Sequence, residues 1–247
     1  MHIKEARLFK EIMDVAEARL SAKANPQNVL KYSRYFKEGY DAWGADDSEL
    51  IMLKQDILQS YPQLNAKQIL ELGKLLLHHS KFEMGSLAIL LLDARLDMCD
   101  RQSFDELKLW FDFGVNNWAH ADNLCTKITP WFLLKGIVTY EDFAPWLSSK
   151  SRWTRRACPV SMIKIKKLQD PKQMMSFIEI LMTDPERVVH QGTGWFLREL
   201  WKEHPKEVED FLYTHRNTAA RLIIQYATEK MSKEERLRFR KDKATIN

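Results

Sequence analysis

Apolar residues return at three- and four-residue spacing along almost the whole chain, and this periodicity limits the fold more than any other feature. Ile12, Val15, Ala16 and Leu20 form one such stripe, as do Ile69, Leu72, Leu76 and Leu77. Further stripes are Phe177, Ile180 and Leu181, then Phe196, Leu197 and Leu200. Such spacing puts the apolar side chains on one face of an α-helix, whereas a half-buried strand needs strict alternation. Gly and Pro, eight of each, fall mostly where helices must start or stop: Asn25-Pro26, Tyr61-Pro62, Thr129-Pro130, Asp170-Pro171, Asp184-Pro185 and His204-Pro205. Asp170-Pro171 and Asp184-Pro185 each have the form of an N-cap followed by proline at the first helical position. The expected fold is all-α, built from short helices with tight connections, the texture of stacked helical pairs. No low-complexity linker interrupts the 247 residues, so one continuous domain over 1–247 is expected.

No apolar run approaches the roughly 20 residues needed to cross a bilayer. The longest, Leu87 to Leu92, reads as a turn and a half of buried helix. The N-terminus, Met-His-Ile-Lys-Glu-Ala-Arg, enters a charged amphipathic pattern without a signal-peptide core, so a cytoplasmic location and no membrane partner are expected. Cys99, Cys125 and Cys158 lie far apart with no metal-ligand spacing, and the seven histidines form no ligand set. No metal is expected. Nucleotide-binding glycine loops, a nucleophile elbow and the zinc-protease helix motif are all missing from the sequence, which lowers phosphotransfer, nicotinamide chemistry and metalloproteolysis.

The net charge of +4 is unevenly divided. Residues 1–147 carry 17 Lys and Arg against 21 Asp and Glu, a net of −4, whereas residues 148–247 carry 21 against 13, a net of +8. A basic C-terminal part points to a polyanion partner. Its densest stretch, "SRWTRRACPVSMIKIKK" (151–167), places Arg152, Arg155, Arg156, Lys164, Lys166 and Lys167 around Trp153. Guanidinium forks suit phosphate oxygens, although a solvated basic face explains the same run.

Trp118 and Asp122 stand four residues apart, so on a helix they share a face. Trp118 precedes Arg156 by 38 residues, and Arg156 precedes Trp195 by 39, the interval that also separates Glu83 from Asp122. In stacked helical repeats, residues at such intervals take equivalent positions and line one surface. Trp195 follows Gly192 and Gly194, small residues that let a backbone or a ligand come close at a helix start. Near the N-terminus, "LKYSRYFKEGYDAWG" interleaves Tyr32, Tyr35, Phe36, Tyr40 and Trp43 with Lys31, Arg34 and Lys37. That mixture fits sugar and phosphate contact, and amphipathic packing fits it nearly as well.

Five segments occur in the order and spacing of a known family: "YFKEG" (35–39), "FEMGSLAILLL" (82–92), "NNWAHADNLC" (116–125), "RWTRRACPV" (152–160) and "GTGWFLRELWKEHPKEVEDFL" (192–212). From about residue 30 to 240 the chain resembles the AlkD-like DNA alkylation repair proteins, bacterial HEAT-like repeat DNA glycosylases. The resemblance implies a superhelical solenoid of HEAT-like antiparallel helix pairs with a concave basic groove. It implies excision of cationic N3- or N7-alkylated purines from double-stranded DNA in base excision repair, by a monomer without metal or organic cofactor. The family's asparagine, tryptophan and aspartate fall on Asn117, Trp118 and Asp122, its functional arginine on Arg156, its later glycine and tryptophan on Gly194 and Trp195, and its early aromatic on Tyr35. The implied catalytic set is Asp122, Trp118, Trp195 and Arg156. Tyr35, Arg152, Trp153, Arg155, Lys164, Lys166 and Lys167 are the implied DNA contacts. Many members carry an aspartate directly after the motif tryptophan, where this chain has Ala119 followed by His120. A non-catalytic repeat protein that binds damaged or branched DNA stays open as the alternative.

Overall fold

Local capping chemistry sets several of the helix starts. In the computed structural model, which describes residues 3–242, Asn25 accepts the backbone N–H groups of Gln27 and Asn28 and Pro26 opens the helix. Reciprocal caps, in which the N-cap and N3 side chains each bond the other's backbone, start three more helices, with Asn65 and Gln68, Asp100 and Ser103, and Ser232 and Glu235 as the pairs. Each satisfies two of the donors that a helix start leaves unpaired.

The chain packs as two compact units that meet in sequence at Ile128 and Thr129. The first contains α1 (Ile3–Ala22), α2 (Pro26–Ser33), α3 (Asp47–Ser60), α4 (Ala66–His78), α5 (Phe82–Asp93), α6 (Arg101–Leu109) and α7 (Trp118–Asn123). Its core joins Phe9, Ile12 and Leu20 of α1 to Leu53 of α3, Leu72 and Leu76 of α4 and Leu87 and Leu91 of α5. Two wide π-helical turns, Trp110–Gly114 and Leu124–Ile128, lie on either side of α7.

The second unit contains α8 (Thr129–Leu134), α9 (Ala144–Leu147), α10 (Arg152–Met162), α11 (Pro171–Ile178), α12 (Arg187–Trp201), α13 (Pro205–His215), α14 (Arg221–Ala227) and α15 (Lys233–Leu237). Helix α12 is its centre and packs most closely on α10 and α14, burying Phe196, Leu197 and Leu200. Among the described residues there is no strand, and no helix is long and apolar enough to cross a membrane.

Three details depart from the sequence expectation. Val15 is 48% exposed beside the buried Ile12 and Ala16, so the α1 stripe is narrower than its apolar residues suggest. Ile180 is exposed because α11 tightens into a 3-10 turn over Glu179–Thr183, which rotates it away from Leu181. Asp184 is no N-cap: α12 begins at Arg187 after Glu186, and the Asp184 carboxylate turns inward. Asp170 does cap α11, accepting from Gln173 N–H with Pro171 in the first position.

Candidate functional site

In the first unit, Asn117 closes the start of α7 by accepting the His120 N–H at 2.9 Å, which makes Trp118 the first residue of the helix. The Trp118 indole N–H donates to the backbone carbonyl of Tyr35 at 3.0 Å, a contact between residues 83 apart in sequence. Its ring stacks on Phe36 at 5.4 Å and 25°, and Phe36 stacks in turn on Tyr40 at 4.6 Å and 23°. Trp118 is thereby oriented on one side while 40% of it stays exposed, beside a Tyr35 that is 53% exposed. Asp122 follows one turn later on α7, partly exposed. The structure thus brings Tyr35 and Trp118 together and sets Asp122 on the helix that carries the indole.

His120 points into the protein. Asn117 commits its carbonyl oxygen to the helix cap, so its amide nitrogen faces His120 Nδ1 at 2.9 Å and donates to it. The proton must then sit on Nε2, which lies 3.0 Å from the Phe82 carbonyl and 3.1 Å from Ser86 Oγ. Gly85 makes the slot, since a Cβ there would stand 2.4 Å from His120 Cε1. Burial depresses the His120 pKa to about 4, so the ring is neutral at pH 7. Ser86, His120 and Asn117 have the residue types of a nucleophilic triad with the polarity reversed: Nε2 is a donor and takes no proton from Ser86.

Glu83 is 2% exposed and accepts from the backbone N–H groups of Trp43, Gly44 and Ala45 at 3.1, 2.6 and 3.3 Å. Gly44 adopts φ +80° there, a left-handed turn that brings successive amides onto the carboxylate. The loop so fixed forms one wall of a cavity of about 480 Å³ whose other walls include Tyr35, Phe36, Phe82, Trp118 and Ala119. Tyr40 lines the same cavity, and burial, reinforced by the charge of Glu83, pushes its phenol up to about 12. Glu83, expected on a shared open surface with Asp122, is instead a buried anchor for this loop.

In the second unit, Arg156 is 6% exposed and donates to the Val188 carbonyl at 2.7 Å. Gly192 gives it room, because a Cβ at that position would meet Arg156 Cγ at 2.9 Å. Gly194 serves the opposite side of α12, where a Cβ would meet Tyr226 Cβ at 2.5 Å on α14. Both glycines therefore admit protein neighbours, and they stand well inside α12, five and seven residues past its first. Trp195 is partly exposed on that helix. The structure brings Arg156 against the helix that carries Trp195.

The basic stretch 151–167 is not the open cationic face expected of it. Trp153 is 4% exposed, a core residue under the Arg152 guanidinium. Arg155 forms a two-point ion pair with Asp184, Nε to Oδ2 at 2.6 Å and Nη2 to Oδ1 at 3.2 Å, and donates to the Ser149 carbonyl at 2.7 Å. Lys166 sits 3.7 Å from both Glu199 and Glu203. Trp153, Arg155 and Lys166, expected as DNA contacts, are thus engaged in the protein's own packing and ion pairs, because α12 and the turns on either side of it supply carboxylates and apolar cover that lie about 30 residues or more away. Arg152, Lys164 and Lys167 stay on the surface, Arg152 within 3.6 Å of Glu186 and Lys167 within 3.2 Å of Glu203. Phe36, Tyr40 and Phe82 pack against one another beside Trp118, a cluster that residue spacing does not reveal. Its one signal was the aromatic crowding of residues 32–43.

A family model described as "DNA alkylation repair enzyme" matches residues 16–231. No curated protein matches the chain. Among solved structures, it is similar to a predicted DNA alkylation repair enzyme from Enterococcus faecalis at 18% identity and TM-score 0.73, covering 85% of this chain and 98% of that one. AlkD2 from Streptococcus mutans is similar at 20% identity and TM-score 0.56, covering 84% and 99%. The smu.31 protein of Streptococcus mutans UA159 is similar at 19% and 0.56, covering 83% and 98%. At these identities the likeness establishes the fold, an all-helical repeat of the AlkD-like kind.

Proposed function

The chain belongs to the DNA alkylation repair enzyme family, and from that premise we propose that it is a DNA glycosylase removing cationic N3- or N7-alkylated purines from double-stranded DNA. The observation that carries this reading is the half-exposed indole of Trp118, oriented by the Tyr35 carbonyl, with Asp122 one turn along the same helix. An alkylated purine already bears the positive charge that a general acid would otherwise supply. When its bond to C1′ breaks, the electron pair leaves with the base, which departs neutral, and positive charge collects on the deoxyribose. The Asp122 carboxylate stabilises that charge and accepts the proton of the water that adds to C1′. An indole face favours the same cationic sugar, which is the role of Trp118 and, on the family pattern, of Trp195. On the family pattern Arg156 is assigned the neighbouring phosphate, which must compete with the Val188 carbonyl for its guanidinium. Arg152, Lys164 and Lys167 supply sequence-independent affinity. In this reading the protein works as a monomer and a single repeat domain in the cytoplasm, with no metal or organic cofactor.

The test is release of methylated purines from alkylated duplex DNA. Asp122→Asn is expected to lower the rate by about 10²-fold or more while duplex binding persists. Equal, negligible release by wild type and variant would end the enzymatic reading. Duplex binding without release would leave a non-catalytic DNA-binding protein.

A further inference from the structure

A buried carboxylate without a counter-ion stands in the wall of the cavity beside α7. Glu83 is 2% exposed and accepts from three loop N–H groups, yet among the described residues no cationic side chain pairs with it. Asp46 and Asp47 add two carboxylates at exposed positions of the same cavity, and among the described residues no lysine or arginine lines it. The Tyr40 phenol in its wall is pushed up to about 12 first by burial and then by the charge of Glu83, and the second cause marks a negative field. Buried charge is ordinarily compensated, so a cation is the ligand this cavity suits.

A bare metal ion does not fit, because among the described residues no three acidic, histidine or cysteine side chains converge as metal ligands do. The rest of the wall is aromatic. Phe36 stacks on Tyr40 at 4.6 Å, and Phe82 meets both rings at 5.4 and 5.2 Å. Such rings favour organic ammonium groups, as neighbouring residues already show: Lys31 Nζ lies 4.9 Å from the Tyr32 centroid and Arg34 Cζ 4.8 Å from that of Tyr35. Acceptors then decide which ammonium. Both Glu83 oxygens are already committed to backbone N–H groups, so a primary ammonium would bring three donors to a wall with little free acceptor capacity. A quaternary ammonium brings no donor and asks only for charge and ring faces. The volume of about 480 Å³ lies within the roughly 300–1,000 Å³ of small-molecule sites.

We propose that this cavity binds the trimethylammonium head of a small metabolite among the rings of Phe36, Tyr40 and Phe82, with the carboxylates of Asp46, Asp47 and Glu83 supplying the opposite charge. The assignment goes beyond the glycosylase reading and does not depend on it, since none of these six residues belongs to the assigned catalytic set.

Calorimetric titration of the full chain with choline, with its neutral isostere 3,3-dimethylbutan-1-ol and with ethanolamine, a primary ammonium, tests the proposal. Choline is expected to bind about tenfold or more tighter than either. The Asp46→Asn/Asp47→Asn double variant is expected to reduce its preference over the isostere below about threefold. Asp46 also accepts from the Asn28 side chain at 2.9 Å, so Asp47→Asn alone, at an exposed position, is the second variant, and it should lower that preference by about half on a logarithmic scale. Tyr40→Leu, which keeps apolar bulk and removes a ring face, should weaken choline by about threefold or more and leave the isostere unchanged. No saturable binding of choline, equal affinity for choline and its isostere, ethanolamine bound as tightly as choline, or a preference unchanged in all three variants overturns the proposal. Base release plays no part in this readout. Failure of the glycosylase reading leaves the cavity assignment standing, and unselective binding of the three probes leaves the glycosylase reading intact.

Discussion

Helices α7 and α10 start alike and place their tryptophans oppositely. Asn117 and Ser151 each cap their helix by accepting the N–H three residues on, at His120 and Thr154. Trp118 is the first residue of α7 and is 40% exposed, whereas Trp153 is the second residue of α10 and is 4% exposed. One position is about 100° around a helix, enough to move an indole from a cavity wall into the core. Counting from the caps also sharpens the repeat register. Asp122 and Arg156 are both fifth in their helices, so the residue equivalent to Arg156 is Asp122, and the 38-residue interval from Trp118 to Arg156 joins positions that are not equivalent. Cap-relative position thus separates the exposed indole from the buried one where residue type does not.

The comparison can be broken where the second unit turns its charge inward. Arg155→Ala strands the Asp184 carboxylate, which is 5% exposed, and is expected to cost about 3–5 kcal/mol in urea denaturation. A loss under about 1 kcal/mol would mean that the pair is not structural and that Arg155 is available to DNA after all. In the first unit the matching test is acid. His120 has its folded pKa depressed to about 4, below the 6.5 of an unhindered imidazole, so between these values the unfolded chain binds the extra proton. Stability is therefore complete above pH 6.5 and falls as pH drops toward 4, by about 3 kcal/mol from this residue. Urea melts at pH 7 and pH 4.5 should show that loss in wild type and not in His120→Gln.

Smaller effects probe the close approaches. Gly85→Ala pushes a methyl into the His120 ring and is expected to destabilise by about 1–3 kcal/mol, read as a lower Tm. Arg152→Ala and Lys167→Ala, on the surface of α10 and the turn after it, should leave stability within about 0.5 kcal/mol. Each is expected to lower the steepness of the salt dependence of duplex binding by about one phosphate contact. If Lys166→Ala lowers that dependence equally, the division between inward and outward cations is wrong.

The helical class was legible in the sequence, as were the helix boundary at Asn25-Pro26, the cap at Asp170 and the largely buried run from Leu87 to Leu92, because these depend on residues within about one turn of each other. The pairing of Trp118 with Asp122 on one helix was legible for the same reason. The burial of Glu83 and Trp153 and the ion pair of Arg155 were not. Their partners lie 38 to 40 residues away for Glu83 and 29 for Arg155, and a carboxylate bound by three loop amides looks in sequence like any other glutamate on a helix. The C-terminal charge excess is plain as a count, whereas the ion pairs that Arg155 and Lys166 make depend on carboxylates distant in sequence.

By itself, the sequence determined that this chain would be helical, where several helices begin, and which residues α7 and α12 offer to one face, since backbone capping and 3.6-residue periodicity act over a few positions. Only the tertiary structure decided which of those offers face a cavity and which are buried. Trp118 is held by a carbonyl 83 residues away and His120 by a glycine 35 residues earlier, and both contacts exist only after distant helices have packed. Exposure of a side chain is a property of its neighbours, and a helix cannot specify its neighbours from its own turn.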